Sequence, residues 1–330
     1  MKYGVEIFFM FLLAACSSST KWVVPQKIAY YTNPVVNYSL PDPTILQEGD
    51  VFYLFATEDI RNIPVLRSKD LVHWHRLGTA FTDTTRPTFE PGGALWAPDI
   101  NRIGNKYVMY YAMSKWGGEW TCGIGVATAD RIEGPYTDLG MLFRSRDIGV
   151  QNCIDPCFVQ TKHKNFLFFG SFHGIYFVEL TKDGLALLPG EMPLQVAGDA
   201  YEGTCVFRKG TYYYLFASIG SCCEGRRSTY TTVVGRSENP FGPYVDREGN
   251  RMMENNHEIV IHKNRKFVGT GHNARIVSDK KGDTWILYHA FDANAPENGR
   301  VLMLDKLIWK DDWPQVENRS PSLQAKAPAL

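Results

Sequence analysis

One pattern recurs five times along this 330-residue chain: an acidic residue or a histidine, a short turn, then a strand rich in aromatics. The copies are Asp42-Pro43-Thr44-Ile45 before DVFYLFAT, Trp96-Ala97-Pro98-Asp99-Ile100 before KYVMYYAMS, and Ile154-Asp155-Pro156-Cys157-Phe158 before NFLFFGSF. Tyr201-Glu202-Gly203-Thr204 before TYYYLFAS and Gly271-His272-Asn273-Ala274 before DTWILYHAF complete the series. Strand-rich units repeating at a loose period of roughly fifty residues read as the blades of a β-propeller. The fold expected is therefore all-β, a five-bladed β-propeller. In a propeller each blade's innermost strand starts at the central axis, so Asp42, Asp99, Asp155, Glu202 and His272 should converge on one pocket. Chance Asp-Pro turns account for one such copy, not for five in phase.

The remaining strand signals agree. CGIGVAT and YTTVVGRS add to the aromatic runs, with Gly, Asn and Asp between them, and no helical apolar stripe exceeds about two turns. A second echo, Gly134-Pro135-Tyr136 and Gly242-Pro243-Tyr244, marks the outer part of two units. The repeats extend to about Trp313, and Pro314 to Leu330 is too short for a further domain. Residues 28–330 are thus read as a single domain, expected to be a monomer.

Before it lies a targeting segment. Lys2 precedes the apolar run Ile7–Ala15, which is too short to span a bilayer as a mature helix. Leu13-Ala14-Ala15-Cys16 resembles the bacterial lipobox. Residues 1–15 are read as a lipoprotein signal peptide and 16–27 as a lipidated Cys16 with its tether. The expected location is the bacterial envelope, periplasmic or cell-surface, with Cys16 as the sole membrane attachment. The 35 basic and 35 acidic residues cancel, so nothing in the charge points to nucleic acid or an anionic membrane. The six other cysteines form no CxxC pair and no evenly framed disulfide pattern, and most read as small buried hydrophobes. No zinc site is expected from them.

Hydrolysis of a glycosidic bond needs a carboxylic acid that protonates the leaving oxygen and a second carboxylate acting on the anomeric carbon or on water. In inverting enzymes the two stand about 6.5–9.5 Å apart, leaving room for that water. A third carboxylate raises the acid's pKa by like-charge repulsion. Asp42, Asp155 and Glu202, brought together by the repeat, supply such a set.

Through LPDPTI, LWAPDI, NCIDPCF, YEGTCVF, GTGHNARI and ILYHAFD, the chain resembles glycoside hydrolase family 43 over nearly all of its mature length. The segment Cys222-Cys223-Glu224-Gly225 with VVGRSENPFGPYVDREG resembles the endo-1,5-α-L-arabinanases in particular. The resemblance implies Asp42 as general base, Glu202 as general acid and Asp155 as the carboxylate that tunes the acid. It also implies His272 as the holder of a central cation, assigned as Ca²⁺, with water completing the shell; the other reading of His272 is a polar plug in the channel. Trp96 and Trp116 become platforms for sugar rings, and Asn152 a hydrogen-bonding partner of the sugar. Asp99 falls outside the catalytic trio, with a structural role.

The function so implied is an inverting endo-arabinanase acting on plant cell-wall arabinan or arabino-oligosaccharides. The alternatives are an exo-acting α-L-arabinofuranosidase or β-xylosidase of the same family, or a non-catalytic sugar-binding lipoprotein. Three departures from the arabinanase pattern are expected to lie around the cleft. Glu202 is followed by Gly203-Thr204-Cys205 rather than Ala-Pro-Tyr. Phe172-His173-Gly174 lacks a Trp and is one residue shorter, and Met303 replaces an Arg, although Arg300 lies close by.

Overall fold

The computed structural model describes Met1 and residues 30–330. The segments read from sequence as a signal peptide (1–15, apart from Met1) and a Cys16 tether (16–27) lie outside the described residues. Two short strands come first, β1 (Tyr30–Thr32) and β2 (Val36–Ser39). Three antiparallel four-stranded sheets follow. The first comprises β3 (Thr44–Glu48), β4 (Val51–Phe55), β5 (Pro64–Ser68) and β6 (His75–Thr79). The second has β7 (Ala94–Ile103), β8 (Lys106–Ser114), β9 (Gly123–Ala129) and β10 (Thr137–Arg144), after which comes a four-residue helix α1 (Ser145–Ile148). The third contains β11 (Cys157–Gln160), β12 (Asn165–Phe169), β13 (Ile175–Leu180) and β14 (Leu194–Ala197).

The rest forms one ten-stranded assembly. Its first half is β15 (Glu202–Lys209), β16 (Tyr212–Ile219), β17 (Thr231–Ser237) and β18 (Glu258–Ile261). Its second half is β19 (Phe267–Gly271), β20 (Val277–Ser278), β21 (Thr284–Asp292), β22 (Val301–Lys310) and β23 (Trp313–Gln315). A single parallel bridge, Thr231 to Thr270, joins the halves. β2, from the far end of the chain, pairs with β22.

The aromatic runs are explained by burial on both faces. Residues alternate sides along a strand, so a strand sandwiched between two sheets reads as continuous apolar sequence. In β4, Phe52 and Leu54 pack with Trp285, Leu287, Leu302 and Leu304, while Tyr53 and Phe55 pack with Ile100, Met109 and Tyr111. In β8, Val108 and Tyr110 turn the other way, toward Phe158, Leu167 and Phe169 of the third sheet. In β12, Phe166 and Phe168 meet Leu215 and Ala217 of β16. In β16, Tyr214 and Phe216 meet Ile286, Tyr288 and Met303. Each apolar layer is shared by consecutive sheet units, and the last returns to the first. Met303 is fully buried in one of these layers. Its departure from the arabinanase pattern is therefore a matter of core packing, which corrects the expectation that it borders the cleft.

The C-terminal tail belongs to the fold. β24 (Gln324–Lys326) pairs with β1. Asn33 donates through Nδ2 to the Leu304 carbonyl (2.8 Å) and to Ser322 Oγ (3.1 Å), pinning the two chain ends together. The Gly-Pro-Tyr echo builds one turn twice. Tyr136 donates to the Ile132 carbonyl (2.8 Å) and Tyr244 to the Pro240 carbonyl (2.6 Å), both from buried rings.

Candidate active site

The innermost strands start around one cavity of about 290 Å³, and Asp42, Trp96, Trp116, Asn152, Asp155, Glu202 and His272 all line it. Asp42 and Asp155 each stand two residues before their strand, Glu202 opens β15, and His272 directly follows β19. The last position reflects a broken strand. β19 and β20 both pair with β21, and the gap between them holds His272. Asp42, Asn152, Asp155 and His272 all adopt left-handed backbone, with φ of +52°, +56°, +58° and +47°. Non-glycine residues seldom take this conformation, and it persists where surrounding structure over-determines it. Here it turns each side chain off the end of its strand into the cavity.

Asp99 is the exception. β7 begins five residues before it, so Trp96 occupies the strand's cavity end and Asp99 sits deeper, past a register shift between the two. Its buried carboxylate accepts from the Phe158 N–H (2.6 Å), Asn101 Nδ2 (3.0 Å), Arg275 Nη2 (3.2 Å) and Thr44 Oγ1 (3.3 Å), joining the first three sheets to β20's approach. The five leading residues therefore do not all converge; Asp99 is a structural tie. Asp99→Ala leaves the Arg275 guanidinium and the Phe158 N–H without this acceptor. The expected loss of stability is about 3 kcal/mol, at the low end for breaking a buried pair, because Arg275 keeps part of its side chain in solvent. Urea denaturation of purified protein measures it.

The three carboxyl groups are placed in unequal surroundings. Asp42 receives Arg300 Nη1 on both oxygens (3.1 and 3.2 Å) and the Thr57 hydroxyl on Oδ2 (2.6 Å). His272 Nδ1 lies 3.2 Å from Oδ1. Burial works to raise its pKa, but Arg300 and then His272 outweigh it and hold the carboxyl well below the usual carboxylate range. Asp42 is ionised. Its backbone N–H approaches His289 Nδ1 (3.1 Å), and the same ring nitrogen lies 3.3 Å from Asp42 Oδ1. His289 is fully buried, stacked on Tyr230 at 5.6 Å, and burial pushes it down to about 4, so it stays neutral.

Glu202 is the opposite case. Burial, reinforced by the charge of Asp155, raises it to about 7. Hydrogen bonds from Ser171 (2.6 Å to Oε2) and Tyr230 pull part of the way back. Ser171 Oγ also accepts from Asn152 Nδ2 (2.9 Å), so Asn152 reaches Glu202 through one hydroxyl. Asp155 is raised as well, by burial foremost, with Asp42's charge adding to it, while its Oδ2 accepts the Gly203 N–H (2.9 Å). Gly203 has φ +63°, and a Cβ there would stand 3.1 Å from the His272 ring.

Trp96 and Trp116 meet at 5.7 Å with planes tilted by 51°, and Trp116 is 81% exposed. Across the cavity lie Cys222 and Cys223, which the sequence reading left unpaired and which form a disulfide between adjacent residues. Cys122, Cys153, Cys157 and Cys205 are free and buried. Thr57, Ser171, Tyr230 and His289 were not singled out from sequence, although all four lie inside quoted motifs.

For a cation the lining of the cavity offers one imidazole, that of His272. Among the described residues no three His, Cys, Asp or Glu side chains converge in a chelating group. Ca²⁺ takes six to eight oxygens, so the donor set fits only an ion whose shell is mostly water. The His272 ring, desolvated but surrounded by Asp42 and Asp155, is raised to about 9 and must release a proton to ligate.

Residues 31–314 match the family described as Glycosyl hydrolases family 43. The extracellular exo-alpha-(1->5)-L-arabinofuranosidase of Cellvibrio japonicus is 35% identical over 311 residues, covering 84% of this chain and 86% of its own. The extracellular endo-alpha-(1->5)-L-arabinanase 1 of Bacillus subtilis is 33% identical over 293 residues, covering 84% and 88%. The solved structure of Cellvibrio cellulosa alpha-L-arabinanase complexed with arabinohexaose superposes with a TM-score of 0.77 at 32% identity, over 85% of this chain and 96% of that one.

Proposed function

The chain belongs to glycosyl hydrolases family 43, and from that premise we propose that it is an inverting hydrolase of α-1,5-linked L-arabinan. One observation carries the reading: a single cavity holds Asp42 ionised and Glu202 raised to about 7. That is the charge division a base and an acid need. Asp42 accepts a proton from the attacking water, Glu202 gives its proton to the departing sugar oxygen, and Asp155 keeps Glu202 protonated. Trp96 and Trp116 present aromatic faces to the sugar rings.

The apolar layers, each shared by consecutive sheet units and returning to the first, support a five-bladed propeller in one domain. In this reading the ten-stranded assembly is two blades joined by the Thr231–Thr270 bridge. A hydrated divalent cation held by His272 would add positive charge beside the carboxylates. Calorimetric titration of chelator-treated protein with Ca²⁺, on wild type and His272→Ala, tests it: heat in both or in neither rejects the assignment. The curated relatives are described as extracellular. This suits the proposed signal peptide and a lipid on Cys16, which mass spectrometry of the membrane fraction would detect.

The deciding experiment is product analysis of the soluble domain on debranched arabinan, alongside an aryl α-L-arabinofuranoside. A ladder of oligosaccharides without aryl release identifies an endo enzyme. Arabinose alone, or aryl release, identifies an exo enzyme, which the Cellvibrio japonicus relative favours. No product from either substrate overturns the assignment.

A further inference from the structure

A second, larger depression of about 540 Å³ lies directly beside the catalytic cavity. Three segments make the wall between them, and in each the two neighbours face opposite ways. Glu119 lines the cavity and Trp120 the groove; Asn152 lines the cavity and Gln151 the groove; Phe172 lines the cavity and His173 the groove. The wall is tied together by polar contacts. His173 Nε2 lies 3.3 Å from Glu119 Oε2, Gln151 Nε2 donates to the same oxygen (2.5 Å), and the Asn152 N–H donates to the Glu119 carbonyl (2.7 Å).

The groove's chemistry is that of a sugar site rather than of a protein interface. Trp120 is 48% exposed and offers an aromatic face, Tyr176 a second ring, and Gln151, Gln195 and His173 hydrogen-bonding groups. Its one acid, Asp199, accepts from Asn255 Nδ2 (2.9 Å). A ring flanked by amides matches the apolar face and hydroxyl edge of a pentose. The volume lies within the range of small-ligand sites.

We infer that this groove is an accessory binding site for the polysaccharide, holding pentose units of the same α-1,5-arabinan chain beyond those at the carboxylates, with Trp120 as its platform. The inference rests on the arabinan reading above. A chain leaving the cavity crosses the low Glu119–His173 wall and lies against Trp120. Long chains gain contacts that short oligosaccharides cannot reach.

The test compares wild type and Trp120→Ala on debranched arabinan and on arabinotriose. Trp120 is exposed, so the variant is expected to keep the wild-type melting temperature. The KM for the polymer should rise about three- to tenfold, the loss of one aromatic stacking partner, while kcat and both constants for arabinotriose stay unchanged. In the inactive Glu202→Gln background, Trp120→Ala should also reduce retardation in gels containing arabinan. Equal KM for polymer in both proteins overturns the inference, and so does a parallel rise on both substrates, which would place Trp120's effect in the catalytic cavity. If wild type releases nothing from arabinan, the function falls first. If it cuts arabinan and Trp120→Ala behaves identically, only the groove's role falls.

Discussion

Glu202→Gln should lower kcat on arabinan by about 10²–10⁴-fold, the range that positioned general acid catalysis contributes, with an unchanged melting curve. The amide keeps the shape and the contact with Ser171 but has no proton to give the leaving oxygen. A substrate whose leaving group departs without protonation separates this role from a binding role. With a dinitrophenyl arabinofuranoside, an exo-capable enzyme should lose far less. The pH profile carries the same information. As the proposed acid Glu202 must be protonated to act, so the wild-type alkaline limb should fall as pH rises through about 7. Ser171 stabilises the ionised form by donating to Oε2. Ser171→Ala should therefore move that limb upward, extending activity to higher pH. A limb that stays in place would show that another group sets it.

Asp42→Asn is the second large effect, again about 10²–10⁴-fold in kcat, for a different reason. Arg300 and His272 hold the carboxylate ionised, so in the proposed mechanism it is the carboxyl group of the cavity that is free to accept a proton from water. The amide removes the proposed base and leaves the Arg300 guanidinium, 14% exposed, facing a neutral partner. Some loss of stability should accompany the loss of rate, about 1.5–3 kcal/mol for a hydrogen bond to a charged group. Circular dichroism at 25 °C checks that the variant is still folded where its activity is assayed. Near-normal hydrolysis by folded protein would remove Asp42 from the mechanism.

The parts of this architecture that alternate along a strand were legible in the sequence. DVFYLFAT, KYVMYYAMS and NFLFFGSF are apolar at every step because each is covered on both sides, and the residues that precede them mark where the chain leaves the axis. The reading failed where position along a strand, not composition, decides. β7 starts upstream of its motif, so Trp96 takes the cavity end and Asp99 is carried to Arg275. Most partners of the acids were hidden because they lie in other units. Arg300 reaches Asp42 from 258 positions away, and Ser171 reaches Glu202 from the preceding sheet, while Thr57 meets Asp42 from the end of its own unit's second strand. Spacing offers no signal for such meetings. Adjacent Cys222 and Cys223 were equally opaque, since a framework of spaced cysteines is what a disulfide usually leaves in sequence.

The pairing of β2 with β22, and of Asp42 with Arg300 across 258 positions, has a consequence for biosynthesis. The ribosome emits the amino end first, at about 5–20 residues per second. Asp42 is thus exposed roughly ten to fifty seconds before the guanidinium and imidazole that set its charge. During that interval the nascent polypeptide has strands and carboxyl groups but no catalyst. Competence waits for the strand that Arg300 precedes, and a chain cut short before it lacks the contact that holds Asp42 ionised.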